Sequence, residues 1–323
     1  MGTPLLEVRN LRVEFPTRHG TLCAVDDLSF AIAPGELLGV VGESGAGKSL
    51  TGMAIIGLIE PPGRIAAGEI WLEGERIDNL SAEAMRRIRG KRIGAIFQDP
   101  LTSLNPLFTI GQQLVETIDV HLHMGHSAAR RRALELLAEV GIPAPDLRLD
   151  QYPHQFSGGM RQRVVIALAL AANPRLIVAD EPTTALDVSI QAQIITLLKR
   201  LAAEHGTAVM LITHDMGVIA ETADRVAVLY AGRLAEIGAV REVIHAPSHP
   251  YTRGLMSAIP KLGEGRERLA QIDGAMPRLN AIPPGCAYNP RCPERLERCA
   301  VERPSALPAG RNFAACWLYD GSR

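Results

Sequence analysis

Apolar positions in the N-terminal three quarters of the chain follow two different periods. Residues 6–15 and 24–32 alternate apolar and polar side chains, which predicts two strands that each have one buried face. Continuous apolar runs at residues 36–41, 176–179 and 208–213 are typical of strands that are covered on both sides. Shorter runs at residues 69–72, 92–97 and 225–230 complete the predicted strands.

Between these strands the apolar positions recur with a helical period. The segments that show it are residues 47–58, 110–140, 157–172, 190–204 and 216–223. Strands that alternate with helices indicate an α/β fold whose sheet is covered by helices on both faces. The stretch over about residues 99–160 interrupts the alternation and predicts an inserted helical subdomain.

The pattern changes after about residue 245, where prolines crowd a region with little periodicity. We therefore predict one domain over residues 1–245 and a small Cys/Pro-rich extension over residues 246–323. Five cysteines occur in all, and four of them, Cys286, Cys292, Cys299 and Cys316, lie in this extension.

Composition excludes some function classes. The 323 residues are 47% hydrophobic and 21% charged, with a formal net charge of −1. A dedicated nucleic-acid binder usually carries a strong basic bias, so no nucleic-acid partner is expected. No apolar run reaches the eighteen or so residues that span a bilayer, and the N-terminus lacks the layout of a secretory signal. The chain is thus expected to remain in the cytosol.

A glycine-rich segment carries the first chemistry. Residues 42–49 read Gly-Glu-Ser-Gly-Ala-Gly-Lys-Ser and match G-x-x-x-x-G-K-[ST] in full. Glycines allow successive backbone N–H groups to surround phosphate oxygens, and the following helix presents its positive end. Lys48 is expected to reach the β- and γ-phosphates of ATP, and the Ser49 hydroxyl to ligate Mg²⁺. The predicted nucleotide-binding residues of this segment are Gly42, Glu43, Ser44, Gly45, Ala46, Gly47, Lys48, Ser49 and Leu50.

An acidic pair at the end of the predicted strand 176–179 supplies the second chemistry. A buried strand delivers Asp180 at its carboxyl end, where the side chain is suited to hold Mg²⁺ directly or through water. Glu181 comes next and is predicted to act as general base, or to position the attacking water.

These motifs, in this order, resemble those of the ATP-binding cassette (ABC) transporter ATPases. The resemblance covers residues 5 to about 240 and implies a P-loop nucleotide-binding domain. Residues 156–163, Phe-Ser-Gly-Gly-Met-Arg-Gln-Arg, resemble the family signature, although Met160 stands where many members have Gln. The resemblance to the signature implies that Ser157, Gly158 and Gly159 contact ATP held by a partner subunit.

The same resemblance assigns roles to four further residues. Gln98 resembles the glutamine that senses Mg²⁺ and couples to the membrane subunits, and His214 resembles the switch histidine that contacts the γ-phosphate. Asp187 lies in a segment similar to the loop that communicates across the ATPase dimer, and Phe15 stands where family members stack an aromatic ring on adenine. Lys48, Gln98, Glu181 and His214 are therefore the predicted catalytic residues, and Ser49, Gln98 and Asp180 the predicted magnesium ligands.

Finer similarities point to one branch of the family. The segments 98–106, 182–188 and 249–255 (His-Pro-Tyr-Thr-Arg-Gly-Leu) resemble the dipeptide/oligopeptide and nickel import ATPases. That branch implies ATP-driven import of peptides, with two transmembrane permeases, a second and different ATPase subunit and an extracytoplasmic substrate-binding protein. It also implies a peripheral position on the cytoplasmic face of the inner membrane. Two alternatives remain: import of nickel or another small solute, and a soluble ABC ATPase in DNA repair or translation.

The four clustered cysteines suggest a metal site. Their spacing, C-x5-C-x6-C-x16-C, differs from zinc-finger pairs and from the tight bacterial ferredoxin run. Four thiolates suffice for a 4Fe-4S cluster or for Zn²⁺, and the spacing does not decide between them. Similar transporter subunits carry a 4Fe-4S cluster here, so the resemblance favours the cluster, in a structural role.

Overall fold

The strands and helices of the first half of the chain follow the predicted alternation. The structure is a computed structural model, and it describes residues 3–184, 186–258 and 271–321. In chain order the first elements are β1 Leu6–Thr17, β2 Gly20–Ile32, β3 Leu37–Val41, α1 Lys48–Ile55, β4 Arg64–Leu72, β5 Glu75–Arg76, α2 Ala82–Ile88, β6 Ile93–Ile96, α3 Pro100–Ser103, α4 Ile110–Leu122, α5 His126–Glu139 and α6 Pro145–Arg148.

The second half continues the alternation and then breaks into short elements. Its elements are α7 Gly158–Leu170, β7 Leu176–Asp180, α8 Val188–His205, β8 Ala208–Ile212, α9 Met216–Thr222, β9 Arg225–Tyr230, β10 Arg233–Ala239, α10 Val240–His245, α11 Pro250–Ser257, β11 Leu307–Ala309 and β12 Asn312–Ala314. A 3-10 turn at Asn289–Arg291 lies between Cys286 and Cys292, and another at Glu297–Ala300 contains Cys299.

The described residues divide into two compact units. The first unit comprises residues 3–6, 32–37, 73–184 and 186–211, and the second comprises residues 7–31, 38–72, 212–258 and 271–321. The extension belongs to the second unit, together with the glycine-rich segment. The boundary at residues 245 and 246 stays a prediction.

In the first unit, parallel strands carry helices. Strand β6 pairs with β7 in parallel, with Ile93 opposite Leu176 and Ile96 opposite Ala179, and β8 lies next to β7. Four residues of β7 are buried, as its continuous apolar sequence predicts. Helix α7 packs on β6 and also contacts α3, α4 and α5, which are helices within the stretch 99–160.

In the second unit, β3 pairs with β9 in parallel, from Leu38 opposite Arg225 to Val41 opposite Val228. The sheet continues from β9 through antiparallel β10 and β12 to β11, so two strands of the extension add to it. Strands β2, β1 and β4 are neighbours, in that order, in a further sheet.

A buried carboxylate ties the extension to β10. Glu236 is fully buried, and its carboxylate accepts the backbone N–H groups of Ser248 and His249, each at 2.8 Å. The side-chain amide of Asn312 in β12 donates a third hydrogen bond at 2.9 Å. Because a buried acid without partners is costly, these donors hold the start of α11 and strand β12 against β10.

None of the helices in the described ranges has the length and apolar character that crossing a bilayer requires.

Candidate nucleotide-binding site

The glycine-rich segment forms a loop between β3 and α1. Gly42 has φ 153°, and a Cβ there would lie 2.3 Å from the carbonyl oxygen of Leu229, so no larger residue fits. Gly47 has φ 94° in the left-handed region and caps the N-terminus of α1. The two glycines therefore allow the chain to turn sharply from the strand into the helix.

The lysine of the loop is held inside it. Lys48 is 6% exposed, and its ammonium group donates to the carbonyl oxygens of Gly42 at 2.8 Å and Glu43 at 3.1 Å. Ser44, Gly45 and Ser49 are exposed at the same loop. The loop thus offers exposed backbone and hydroxyl groups, a helix N-terminus and a positioned cation, which is the chemistry that binds phosphate.

Two other predicted residues lie in this second unit. His214 is exposed and follows β8, next to Thr213, whose backbone N–H donates to the carbonyl of Val40 at 3.2 Å. That bond places His214 at the same edge as the phosphate loop, which begins two residues after Val40. Phe15 is half-buried near the end of β1, against the turn at Gly63.

The first unit brings together Gln98 and the acidic pair. Parallel β6 and β7 end at one edge, so Gln98, two residues after β6, lies beside Asp180 and Glu181 at the end of β7. The Gln98 side-chain amide donates to a carboxylate oxygen of Glu181 at 3.1 Å, and the Thr184 hydroxyl donates to the same oxygen at 2.8 Å. Two donors therefore fix the direction of this carboxylate.

The backbone of Glu181 is also unusual. It has φ 45°, a left-handed conformation that non-glycine residues seldom adopt and that often marks a functional position. Sequence reasoning missed Thr184, although its place three residues after Glu181 is where a turn brings a side chain back onto the carboxylate.

The signature residues form the exposed start of α7. The Ser157 hydroxyl accepts the backbone N–H of Met160 at 3.3 Å and so caps the helix. Ser157 and Gly158 are exposed and Gly159 is half-buried, where a Cβ would come 2.9 Å from Ile190. Asp187 is exposed at the N-terminus of α8, followed by Val188, which is 81% exposed.

The predicted residues are thus divided between the two units. Phe15, the phosphate loop and His214 belong to the second unit, whereas Gln98, the signature, the acidic pair and Asp187 belong to the first.

The four cysteines of the extension line one small cavity, together with His249 and Tyr288. All are free thiols, and the Sγ atom of Cys299 accepts the backbone N–H of Leu296 at 3.4 Å. Burial raises the pKa of Cys286 and that of Cys316 to about 11, and also raises the pKa of Cys292. Backbone amides oppose these shifts, and the neighbouring thiols add to them.

No set of three or more His, Cys, Asp or Glu side chains in the part of the chain that the structure describes has the arrangement of a metal site. The four sulfur atoms share a cavity without forming a finished ligand set.

A phosphate loop that follows a strand, and a carboxylate held at the end of another strand, define a P-loop nucleotide-binding ATPase. Residues 25–184 match the family described as "ABC transporter", and residues 235–299 match "Oligopeptide/dipeptide transporter, C-terminal region". The chain is 48% identical over 318 residues to the dipeptide transport ATP-binding protein DppD of Bacillus subtilis. This alignment covers 98% of this chain and 95% of that protein. It is 52% identical over 288 residues to the oligopeptide transport ATP-binding protein OppD of the same organism, with 88% and 80% covered.

A solved dimer of the ATP-binding cassette MJ0796, in a post-hydrolysis state with ADP and Pi, aligns with a TM-score of 0.66 and 30% identity. It covers 73% of this chain and 99% of that chain. The chain belongs to the ABC transporter family, and it is an ATP-hydrolysing enzyme. The α/β P-loop fold and the family are confirmed.

Proposed function

We propose that the chain powers import of dipeptides or oligopeptides across the cytoplasmic membrane. The observation that carries the proposal is the match of residues 235–299 to the peptide-transporter C-terminal region, which follows the ABC transporter match at residues 25–184 in the same chain. The named relatives, a dipeptide and an oligopeptide transport ATP-binding protein, support the same cargo class. We further propose that the cassette ends near residue 245 and that residues 246–323 form the extension.

The proposed assembly follows from this function. Two transmembrane permeases would form the path, a substrate-binding protein would deliver the peptide, and a second ATPase subunit would pair with this chain. The chain itself would work as a peripheral subunit on the cytoplasmic face. The alternative of DNA repair or translation is not favoured, because the relatives are transport proteins and the net charge is −1.

ATP would be held by the phosphate loop of residues 42–50. The Lys48 ammonium group would exchange its hydrogen bonds to the Gly42 and Glu43 carbonyls for bonds to the β- and γ-phosphates. This is a small rearrangement because its Nζ atom already lies in the loop. The partly exposed ring of Phe15 would stack on the adenine.

Ser49, Asp180 and Gln98 are the proposed magnesium ligands. A hydroxyl, a carboxylate and an amide oxygen are hard donors, and such donors suit Mg²⁺. The bound ion would neutralise charge that develops on the phosphate oxygens.

Glu181 would take a proton from water while the water oxygen attacks the γ-phosphorus. The bond from that phosphorus to the bridging oxygen breaks, and ADP and phosphate leave. The two hydrogen bonds from Gln98 and Thr184 would aim the carboxylate at the water, and His214 would contact the γ-phosphate.

The signature would serve a different ATP molecule. Ser157, Gly158 and Gly159 are at an exposed helix N-terminus, so they can contact the γ-phosphate of ATP that a partner subunit holds. Asp187 would act at the same interface, as a contact that senses the partner's site.

Uptake in cells that lack the chain tests the function. Cells that express the wild-type chain should accumulate labelled di- and oligopeptides, and Lys48→Ala should abolish this uptake. The Lys199→Ala variant, which changes a lysine of α8 outside the proposed site, is the control. Loss of nickel uptake with unchanged peptide uptake would contradict the proposed cargo.

We also propose that Cys286, Cys292, Cys299 and Cys316 hold a metal centre, preferentially a 4Fe-4S cluster and otherwise Zn²⁺. Support comes from the four sulfur atoms that line one cavity. Burial raises the pKa of Cys286, Cys292 and Cys316, so these three thiols stay protonated unless a cation compensates the thiolates. A metal centre would crosslink a segment that has short elements and few apolar residues.

Anaerobic purification decides between the metals. The cluster predicts about four irons and four sulfides for each chain. Loss of both in Cys292→Ser, with retention in Cys23→Ser, would support these ligands, since Cys23 lies apart in β2. Finding one zinc and no iron in each chain would mean that the centre is Zn²⁺ rather than the cluster. Finding no metal at all would refute the proposed site.

A further inference from the structure

A residue of the phosphate loop is hydrogen bonded to side chains of the extension. Glu43 is the second residue of the loop, and both its carboxylate oxygens accept from the Arg291 guanidinium, at 3.0 and 3.1 Å. The Arg291 side chain is 8% exposed and that of Glu43 28%, so the pair is largely shielded from water. Shielded charge-assisted bonds are stronger than exposed ion pairs.

Arg291 is itself fixed on several sides. Its guanidinium donates to the carbonyl of Asp273 at 2.8 Å, to those of Ile272 and Gly274 at 3.3 Å, and to the Tyr230 hydroxyl at 3.2 Å. The charge also lies over the Tyr230 ring, 5.8 Å from its centroid. The Nη1 atom alone reaches both carboxylate oxygens of Glu43, while Nε and Nη2 are held by backbone carbonyls. The single ammonium group of a lysine cannot make both sets of bonds.

Tyr251 holds the same residue by its backbone. The Tyr251 hydroxyl accepts the Glu43 backbone N–H at 2.9 Å. Tyr251 is fully buried in α11, and its ring packs against Tyr230 and Tyr288 with centroids 4.6 and 5.4 Å apart. The buried and packed ring therefore fixes the position of the hydroxyl that binds the Glu43 backbone.

Lys48 also binds the residue that Arg291 and Tyr251 hold. The Nζ atom of Lys48 donates to the carbonyl of Glu43 and to that of Gly42, the residue before it. The extension thus contacts the same residue whose carbonyl binds the lysine.

We propose that Arg291 and Tyr251 are positioning residues for the phosphate loop, so that the extension sets the affinity of this chain's own ATP site. Arg291 directly precedes Cys292, and the 3-10 turn Asn289–Arg291 joins Cys286 to Cys292. The conformation of the cysteine segment is thus linked to the phosphate loop through this single turn. This inference rests on the proposed role of residues 42–50 in holding ATP.

The test measures KM for ATP, kcat and the dissociation constant of a fluorescent ATP analogue on the full-length chain and on the purified transporter. Arg291→Met should raise KM and the dissociation constant about 10-fold, because a shielded charged pair is lost, while kcat changes less than about twofold. Arg291→Lys should recover little of this loss. Tyr251→Phe keeps the ring and should weaken binding about threefold.

Arg311→Met is the matched control. Arg311 is in the same extension, its side chain is 82% exposed, and it pairs with Glu242 of α10 at 2.9 Å. This variant should bind ATP like the wild type.

A double-mutant cycle isolates the pair. If Glu43 and Arg291 act together, the variant with both Glu43→Gln and Arg291→Met should bind no more weakly than the worse single variant. Unchanged affinity in Arg291→Met and in Tyr251→Phe, or additive losses in the double variant, would overturn the inference.

Lys48→Ala separates this failure from failure of the proposed site. If Lys48→Ala abolishes binding while the Arg291 and Tyr251 variants bind normally, only the positioning role is refuted. If Lys48→Ala binds ATP like the wild type, the proposed nucleotide site fails as well.

Discussion

At the scale of single residues, the proposed chemistry depends on groups that neighbours hold in place. Glu181 combines a left-handed backbone with two hydrogen bonds on one carboxylate oxygen. Lys48 and Glu43 are likewise fixed by contacts that lie inside or beside the phosphate loop. In the proposed mechanism each group is preorganised, so that little reorganisation would be needed when ATP and water bind.

Glu181→Gln should reduce ATP hydrolysis by at least about 100-fold, because an amide cannot accept the proton of the attacking water. ATP binding should persist, so the variant should retain unhydrolysed ATP, which chromatography of the bound nucleotide measures. The control is Glu204→Gln, whose carboxylate is 51% exposed and pairs with Arg200 on α8. Undiminished hydrolysis in Glu181→Gln would remove Glu181 from its role.

Gly42→Ala should destabilise the chain by about 2 kcal/mol or more and abolish ATP binding, since the new Cβ would clash with the Leu229 carbonyl. Gly20→Ala is the comparison. Gly20 also has a positive φ, of 117°, but no atom lies within 4 Å of its Cβ position, so only the backbone cost of about 1 kcal/mol applies. Thermal unfolding and nucleotide titration of both variants check this; equal effects would show that the clash is unimportant.

At the scale of elements, the apolar pattern predicted most of the cassette, because several of its strands are continuous buried runs and long helices such as α4 and α8 bury one face. Helices α4, α5, α7 and α8 and strands β7 to β9 agree with the predicted segments to within a few residues. The phosphate loop could be predicted because its chemistry lies within eight consecutive residues.

Strand β10, helix α11 and the β11–β12 pair were not predicted. The centre of β10 is Glu236, a charged residue that is buried only because Ser248, His249 and Asn312 supply donors from later in the chain. The contacts of Glu43 with Tyr251 and Arg291 span 208 and 248 residues. Local patterns carry no signal for such pairings, although residues 249–255 were noted for their resemblance to the peptide branch.

The start of α11 should make stability depend on pH. His249 is buried, and burial, followed by the nearby charge of Arg253, lowers its pKa to about 4. Its Nδ1 atom accepts the Tyr251 backbone N–H at 3.0 Å, so protonation of Nδ1 removes the helix cap.

The unfolded chain has an ordinary histidine pKa near 6.5 and binds the proton first, so the contribution of His249 is complete above about pH 6.5 and falls towards pH 4. Chemical unfolding at pH 7 and pH 5 should show a loss of about 2 kcal/mol in the wild type. His249→Gln should show a smaller change between the two pH values. An equal change in both would contradict this account of α11.

At the scale of the whole molecule, the chain combines an ABC cassette with a peptide-transporter extension. In the proposed assembly it supplies half of each of two ATP sites, the phosphate loop to one and the signature to the other. In this proposal, the site that hydrolyses ATP uses the chain's own phosphate loop together with Asp180, Glu181 and His214.

The most direct test is purification of the tagged full-length chain from detergent-solubilised membranes, with identification of every partner by mass spectrometry. The account predicts recovery of two integral-membrane permeases and a second ATP-binding subunit, in amounts comparable to the chain. Recovery with ribosomes or DNA, and without permeases, would contradict it.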